Sequence, residues 1–163
     1  MKKLRIYFDT SIISFVYADD APQYQQATVD LLNNYISDFE VFVSEVVLAE
    51  IEKTSDAKLR SQLFDVFKRF PIVVLSRTID QEISGLANEY ISRNIVPKKK
   101  YEDALHIAFA TAEQMDVLLS WNFKHLANLN KQMLIGNANR LMGYLHPLNL
   151  LTPLEVMDDE WSI

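Results

Sequence analysis

Short apolar runs alternate along the chain with longer stretches whose apolar residues recur at helical spacing. Leu4-Arg5-Ile6-Tyr7-Phe8 is the first such run, and it leads directly into Asp9-Thr10-Ser11. The run predicts a buried strand, and an acid followed by two hydroxyl residues is the usual chemistry of a helix start. A short helix is predicted over 11–17 and a second over 22–37. Pro22 suits the first turn of that second helix, whose first N–H groups have no intrahelical partner. Val41-Phe42-Val43 predicts the next strand, with Ser44 capping the helix behind it. Residues 56–70 form a further helix with Leu59, Leu63, Phe64, Val66, Phe67 and Phe70 turned inward. A strand follows over 71–76. Thr78 and Gln81 match a capping box, opening a helix that stops ahead of Pro97.

The stretch Tyr101–Ala112 is apolar nearly all round, which predicts a central, buried helix. Val117-Leu118-Leu119-Ser120 is another strand and runs into Trp121-Asn122-Phe123-Lys124-His125. A helix over 127–145 and a last strand over 148–152 complete the pattern. Gly143 falls near the end of that helix, and Pro153 starts a final turn. Strand and helix alternate throughout. This predicts a three-layer α/β/α fold with a mostly parallel central sheet, as a single domain over 1–163 whose acidic tail, 157–163, frays unless Trp161 docks.

Composition narrows the function classes. The 163 residues are 49% hydrophobic and 23% charged, as in an ordinary globular protein. With no cysteine, disulfides, thiolate metal sites and a thiol nucleophile are excluded. The formal charge of −6 argues against sequence-independent binding along a nucleic-acid backbone, but leaves room for local grip through metal ions and bases. No secretory signal or membrane-length apolar stretch is evident, so a cytoplasmic protein is expected. Three glycines are too few for a backbone phosphate cradle, and His106, His125 and His146 lack a close metal-ligand spacing. Lys98-Lys99-Lys100 is the one basic run, either a solvated cluster or a phosphate or partner contact.

The informative residues are acids in unusual places. Asp9 ends the first strand, where a parallel sheet places its ligands, although an acid there also serves as a helix cap. Glu45 sits in a first helical turn, where it suits the helix dipole. Glu50 instead shares a face with Val46 and Val47, and a carboxylate there is costly to bury without compensation. Asp103 shares a face with His106, Ile107 and Ala110 on the buried helix. His106 itself reads as a hydrogen-bonded core histidine. Asn122 follows the fourth strand. In a parallel sheet Asp9, Glu50, Asp103 and Asn122 can meet at one edge. Converging carboxylates repel unless a hard cation compensates them, and oxygen ligands favour Mg²⁺ or Mn²⁺.

Four stretches resemble the PIN-domain superfamily of nucleases, in particular its VapC-like toxin branch. They are Ile6-Tyr7-Phe8-Asp9-Thr10-Ser11, Val43-Ser44-Glu45-Val46-Val47-Leu48-Ala49-Glu50-Ile51, Glu102-Asp103-Ala104-Leu105-His106-Ile107-Ala108 and Leu119-Ser120-Trp121-Asn122-Phe123-Lys124-His125. Each is weak alone; the four in order form a strong signature. The resemblance implies a Mg²⁺- or Mn²⁺-dependent endoribonuclease acting on RNA, with a cognate antitoxin, a homodimer and no membrane association. It matches Asp9, Glu50 and Asp103 to the three principal acids and metal ligands, and Thr10 or Ser11 to the hydroxyl that steadies the first acid. Ser120 supports the site, and Lys98, Lys99, Lys100, Lys124 and His125 are candidate RNA or partner contacts. The fourth acidic position, commonly Asp in this family, is Asn122. One charge fewer implies at most one Mg²⁺ in the free protein.

Two rivals remain for comparison. The same fold with a weak metal site would be an RNA- or protein-binding regulatory module, which Asn122 and the acidic net charge favour. A phosphorylated Asp9, as in dehalogenase-like phosphatases, needs a second Asp two residues on, where Ser11 stands.

Overall fold

The computed structural model describes residues 2–122 and 128–158. Among these residues five strands form one sheet: β1 (Leu4–Phe8), β2 (Phe39–Val43), β3 (Ile72–Val74), β4 (Val117–Leu119) and β5 (Asn149–Leu151). Their order is β3-β2-β1-β4-β5, and every pairing is parallel. The expected mostly parallel sheet is thus wholly parallel, with β1 at its centre. Register aligns the strand ends: Tyr7 lies opposite Phe42 and Leu118, and Phe8 opposite Leu119. The carboxyl ends of β1, β2 and β4 therefore open onto one edge, where the connections to the following helices gather.

The helices are α1 (Thr10–Ser14), α2 (Pro22–Asp30), α3 (Glu45–Glu52), α4 (Ala57–Arg69), α5 (Gln81–Ser92), α6 (Tyr101–Ala112), α7 (Leu129–Leu141) and α8 (Pro153–Val156). Side chains alternate across a strand, so β1 serves two cores. Ile6 and Phe8 pack with α1, α3, α4 and the turn that follows α2 through Ile12, Val47, Val66 and Leu31. Tyr7 faces the other way, onto α5, α6 and α7 through Leu86, Ile107 and Ala138. This is the expected three-layer arrangement. α6 is the buried helix that its composition predicts, with every residue from Ala104 to Ala110 at most 5% exposed.

Two local expectations are corrected. α5 is capped by Asp80, not Thr78: the Asp80 carboxylate accepts from the Ile83 N–H at 2.9 Å and is held by Arg77. An ionised cap with an arginine partner outcompetes a neutral hydroxyl two residues earlier. The helix predicted over 22–37 is α2 followed by a wider π turn at Leu31–Tyr35 and a 3-10 turn at Ile36–Asp38. Elsewhere the local signals hold. Pro22 occupies the first turn of α2, Ser44 caps α3, and Thr152 with Glu155 closes a capping box on α8. Among the described residues no helix is long and apolar enough to cross a membrane.

Candidate functional site

Asp9 is the first residue beyond the central strand and is 4% exposed. Its backbone is extended, so its carboxylate can turn back over the start of α1. Oδ1 accepts from the Ser11 N–H at 3.0 Å and the Ser11 hydroxyl at 2.5 Å, and Oδ2 accepts from the Ser120 hydroxyl at 2.5 Å. Asp9 is therefore the cap itself. The reading of Asp9 as a helix cap is borne out; Thr10 is already helical and its hydroxyl is used elsewhere. Burial pushes the Asp9 carboxyl above its ordinary range, against the opposing pull of His106 and the Ser11 and Ser120 donors.

Glu50 lies on α3 with its side chain 30% exposed. Its Oε1 accepts from the Thr10 hydroxyl at 2.7 Å and from His106 Nε2 at 2.7 Å. Burial works to raise its pKa, but the His106 hydrogen bond and charge, with Thr10, carry it below the ordinary value. His106 is 2% exposed, which bears out the reading of a hydrogen-bonded core histidine. Burial lowers its pKa and the carboxylates of Glu50, Asp9 and Asp103 raise it, with the net direction upward. All three acids thus act on one imidazole between them. The other ring nitrogen, Nδ1, lies 2.7 Å from the Tyr7 hydroxyl, which lies 2.7 Å from Ser44 Oγ. Neither Tyr7 nor this second duty of Ser44 was legible in the sequence. The available signal was a tyrosine inside a buried strand, whose hydroxyl must find a partner.

Asp103 opens α6 and is the least satisfied of the three. Its Oδ2 is buried and has no hydrogen-bond partner among the described residues. Burial raises its pKa first, and repulsion from Asp9 and Glu50 adds to this, while His106 and Lys100 oppose it. An unmatched buried polar atom costs about 1–3 kcal/mol, and more when charged.

The fourth corner is partly backbone. The Asn122 N–H donates to Ser120 Oγ at 2.9 Å, and Ser120 passes its own hydrogen to Asp9. The Trp121 N–H donates to Ser11 Oγ, so the segment after β4 grips both hydroxyls that hold Asp9. Trp121 fixes that segment. Its ring is buried, lies 4.8 Å from the Tyr24 ring, and donates its indole N–H to Thr28 at 2.8 Å. Lys98–Lys100 forms an exposed 3-10 turn ahead of α6, and of the three lysines Lys100 acts on Asp103. Lys124 and His125 lie outside the described residues, as does Trp161.

Among the described residues no group of three or more carboxylates and histidines is arranged to hold a metal as it stands. Both Asp9 oxygens and Glu50 Oε1 are turned to protein donors. The chemistry still fits a hard cation: the carboxylates are oxygen donors, they repel one another, and one buried oxygen is orphaned.

The PIN domain family model matches residues 6–127, which include Asp9, Glu50, Asp103 and Asn122. Among solved structures, a chain of VapBC2 from Rickettsia felis, bound to a DNA fragment from their promoter, shares the fold. The TM-score is 0.54 at 18% identity, over 91% of this chain and 98% of that one. No curated protein sequence matches.

Proposed function

The chain belongs to the PIN domain family, and we propose that it is a divalent-metal-dependent endoribonuclease, the toxin of a toxin–antitoxin pair. The observation that carries this is the orphaned Asp103 Oδ2, buried beside the acids of the central strand edge. Asp9, Glu50 and Asp103 would hold Mg²⁺ or Mn²⁺, with the Asn122 carbonyl as a neutral fourth donor. When bound, such a cation supplies a more acidic water and neutralises charge on the leaving oxygen of a phosphodiester. The chain's own residues do the positioning. Ser11 and Ser120 fix Asp9, and Thr10 and His106 fix Glu50. The exposed Lys98–Lys100 turn, whose Lys100 acts on Asp103, would contact RNA phosphates.

Cleavage of RNA in Mg²⁺ or Mn²⁺ tests the reading. Asp9→Asn is expected to lower the rate at least about 100-fold, as for loss of a principal charge-stabilising group. Equal cleavage by variant and wild type would refute it. The likeness to VapBC2 supports an antitoxin as partner, whose cationic side chain would answer the acids; a homodimer as the working unit is proposed on the resemblance to the toxin branch alone. Co-expression with a neighbouring small reading frame should yield a complex in which cleavage is suppressed.

Asn122 favours a second reading, a PIN-like module that binds RNA or protein without turnover. Calorimetry separates the two: no Mn²⁺ binding at millimolar concentration, with RNA binding retained, selects the module.

A further inference from the structure

We infer that Tyr7 and His106 are positioning residues that aim Glu50 at the metal pocket through a one-way chain of hydrogen bonds, an inference that rests on the proposed role of Glu50. The chain begins and ends on the same helix. The Val46 N–H in the first turn of α3 donates to Ser44 Oγ at 3.2 Å. Ser44 Oγ lies 2.7 Å from the Tyr7 hydroxyl, which lies 2.7 Å from His106 Nδ1. His106 Nε2 lies 2.7 Å from Glu50 Oε1, one turn along α3 from Val46.

Donor and acceptor counting gives the chain its direction. Glu50, as a carboxylate, can only accept, so Nε2 must carry a hydrogen. This holds for the neutral ring and the cation alike. With a neutral ring Nδ1 is an acceptor, so the Tyr7 hydroxyl donates to it and accepts from Ser44 in turn. Ser44 Oγ is then free to accept from Val46. Each hydrogen has one acceptor, and none is left over.

Three elements are thereby locked to one carboxylate oxygen: β1 through Tyr7, α6 through His106 and α3 through Ser44. Thr10 holds the same Oε1 from α1 at 2.7 Å. No described residue hydrogen-bonds Oε2, which leaves that oxygen as the ligand atom. Tyr7 and His106 are at most 2% exposed, so neither reaches RNA directly. They act through Glu50.

The experiment is Mn²⁺ calorimetry on the intact protein and five variants. Tyr7→Phe removes one hydroxyl from the chain and nothing else, and is expected to weaken Mn²⁺ binding roughly 10- to 100-fold, the usual cost of losing an outer-shell partner. Tyr90→Phe is the control, since that buried hydroxyl bonds Thr111 and Asn139, away from the acids. It should bind Mn²⁺ as wild type does. His106→Gln keeps an N–H near the position of Nε2 and should bind more tightly than His106→Leu. This pair carries the test if Tyr7→Phe does not fold. Equal affinities for wild type and Tyr7→Phe, or for the two His106 variants, overturn the inference. If Asp9→Asn abolishes Mn²⁺ binding at the same time, the pocket stands and only the positioning role falls. If the wild-type protein binds no Mn²⁺, both fall together.

Discussion

Asp103→Asn should stabilise the metal-free protein while disabling it. Asp103 Oδ2 is buried without a partner, and Asp9 and Glu50 repel its charge. Asparagine keeps the shape, removes the charge and offers an N–H to its acidic neighbours. Leaving a buried polar group unmatched costs about 1–3 kcal/mol, and the amide still bears part of that, so a gain of about 1–2 kcal/mol is expected. At this chain length that corresponds to a rise in Tm of about 2–8 °C. The assay is thermal unfolding in chelator at neutral pH. The pH dependence has a definite sign. The Asp103 carboxyl is raised above its ordinary value, so its contribution is favourable below about pH 4, where it is protonated in both states. That contribution is lost as pH rises through the raised value. The stability gap between variant and wild type should therefore close on acidification. Added Mn²⁺ should reverse the order, since a ligand at 100 times its Kd stabilises the native state by about 2.7 kcal/mol and the variant loses that term. A metal-free variant that melts at or below the wild type would refute the reasoning.

Asn122→Asp should restore the fourth carboxylate. It is expected to tighten Mn²⁺ binding on the order of tenfold, because affinity for hard cations follows ligand charge, and to lower metal-free stability; unchanged affinity by calorimetry would remove Asn122 from the pocket. Replacing Lys98, Lys99 and Lys100 together by Ala should leave Tm unaltered, since all three are exposed, and reduce the salt dependence of RNA binding. The slope of log affinity against log salt should fall by about 2 if all three meet phosphates, and a constant slope would assign the turn to solvent. Trp121→Phe removes the indole bond to Thr28 and should cost about 1–2 kcal/mol in urea unfolding, with weaker Mn²⁺ binding because the segment that holds Ser11 and Ser120 loosens.

Strand and helix alternation was enough to read the parallel three-layer fold, because the period of apolar residues changes visibly between the two. The three acids were legible for a related reason: Glu50 and Asp103 break apolar helix faces. What the sequence concealed is where each polar atom goes. Thr78 and Asp80 both satisfy local capping rules, and only the Arg77 side chain decides between them. Asp9 and Thr10 are both competent caps, and only the approach of Glu50 draws the Thr10 hydroxyl away. Tyr7 reads as one more apolar strand residue, because its partners lie 37 and 99 positions away. Long-range hydrogen bonds leave no periodic trace. The parallel topology let acids on separate elements meet at one edge, and the family resemblance pointed to the same residues.

The three acids are not equivalent, and this decides how the pocket should be probed. Asp9 is part of the fold as well as the site: it caps α1 and ties β4 to β1 through Ser120. Truncation to Ala would strip the cap, at about 0.5–2 kcal/mol, and leave the Ser11 and Ser120 hydroxyls without their acceptor. A loss of cleavage in that variant would report unfolding as readily as chemistry. Asparagine still caps through its side-chain oxygen, so Asp9→Asn isolates the charge. Its cost falls at Ser120, whose Oγ already accepts from the Asn122 N–H and must now face an amide donor. Asp103 has the opposite character. Burial pushes its carboxyl up as it does that of Asp9, but its Oδ2 has none of the hydrogen-bond donors that tie Asp9 into the fold. If Asp103→Asn raises Tm and abolishes cation binding, while Asp9→Asn lowers Tm slightly and abolishes it too, the two opposite shifts converge on one pocket by independent routes. Changes of stability in the same direction would mean that the carboxylates share a structural role instead.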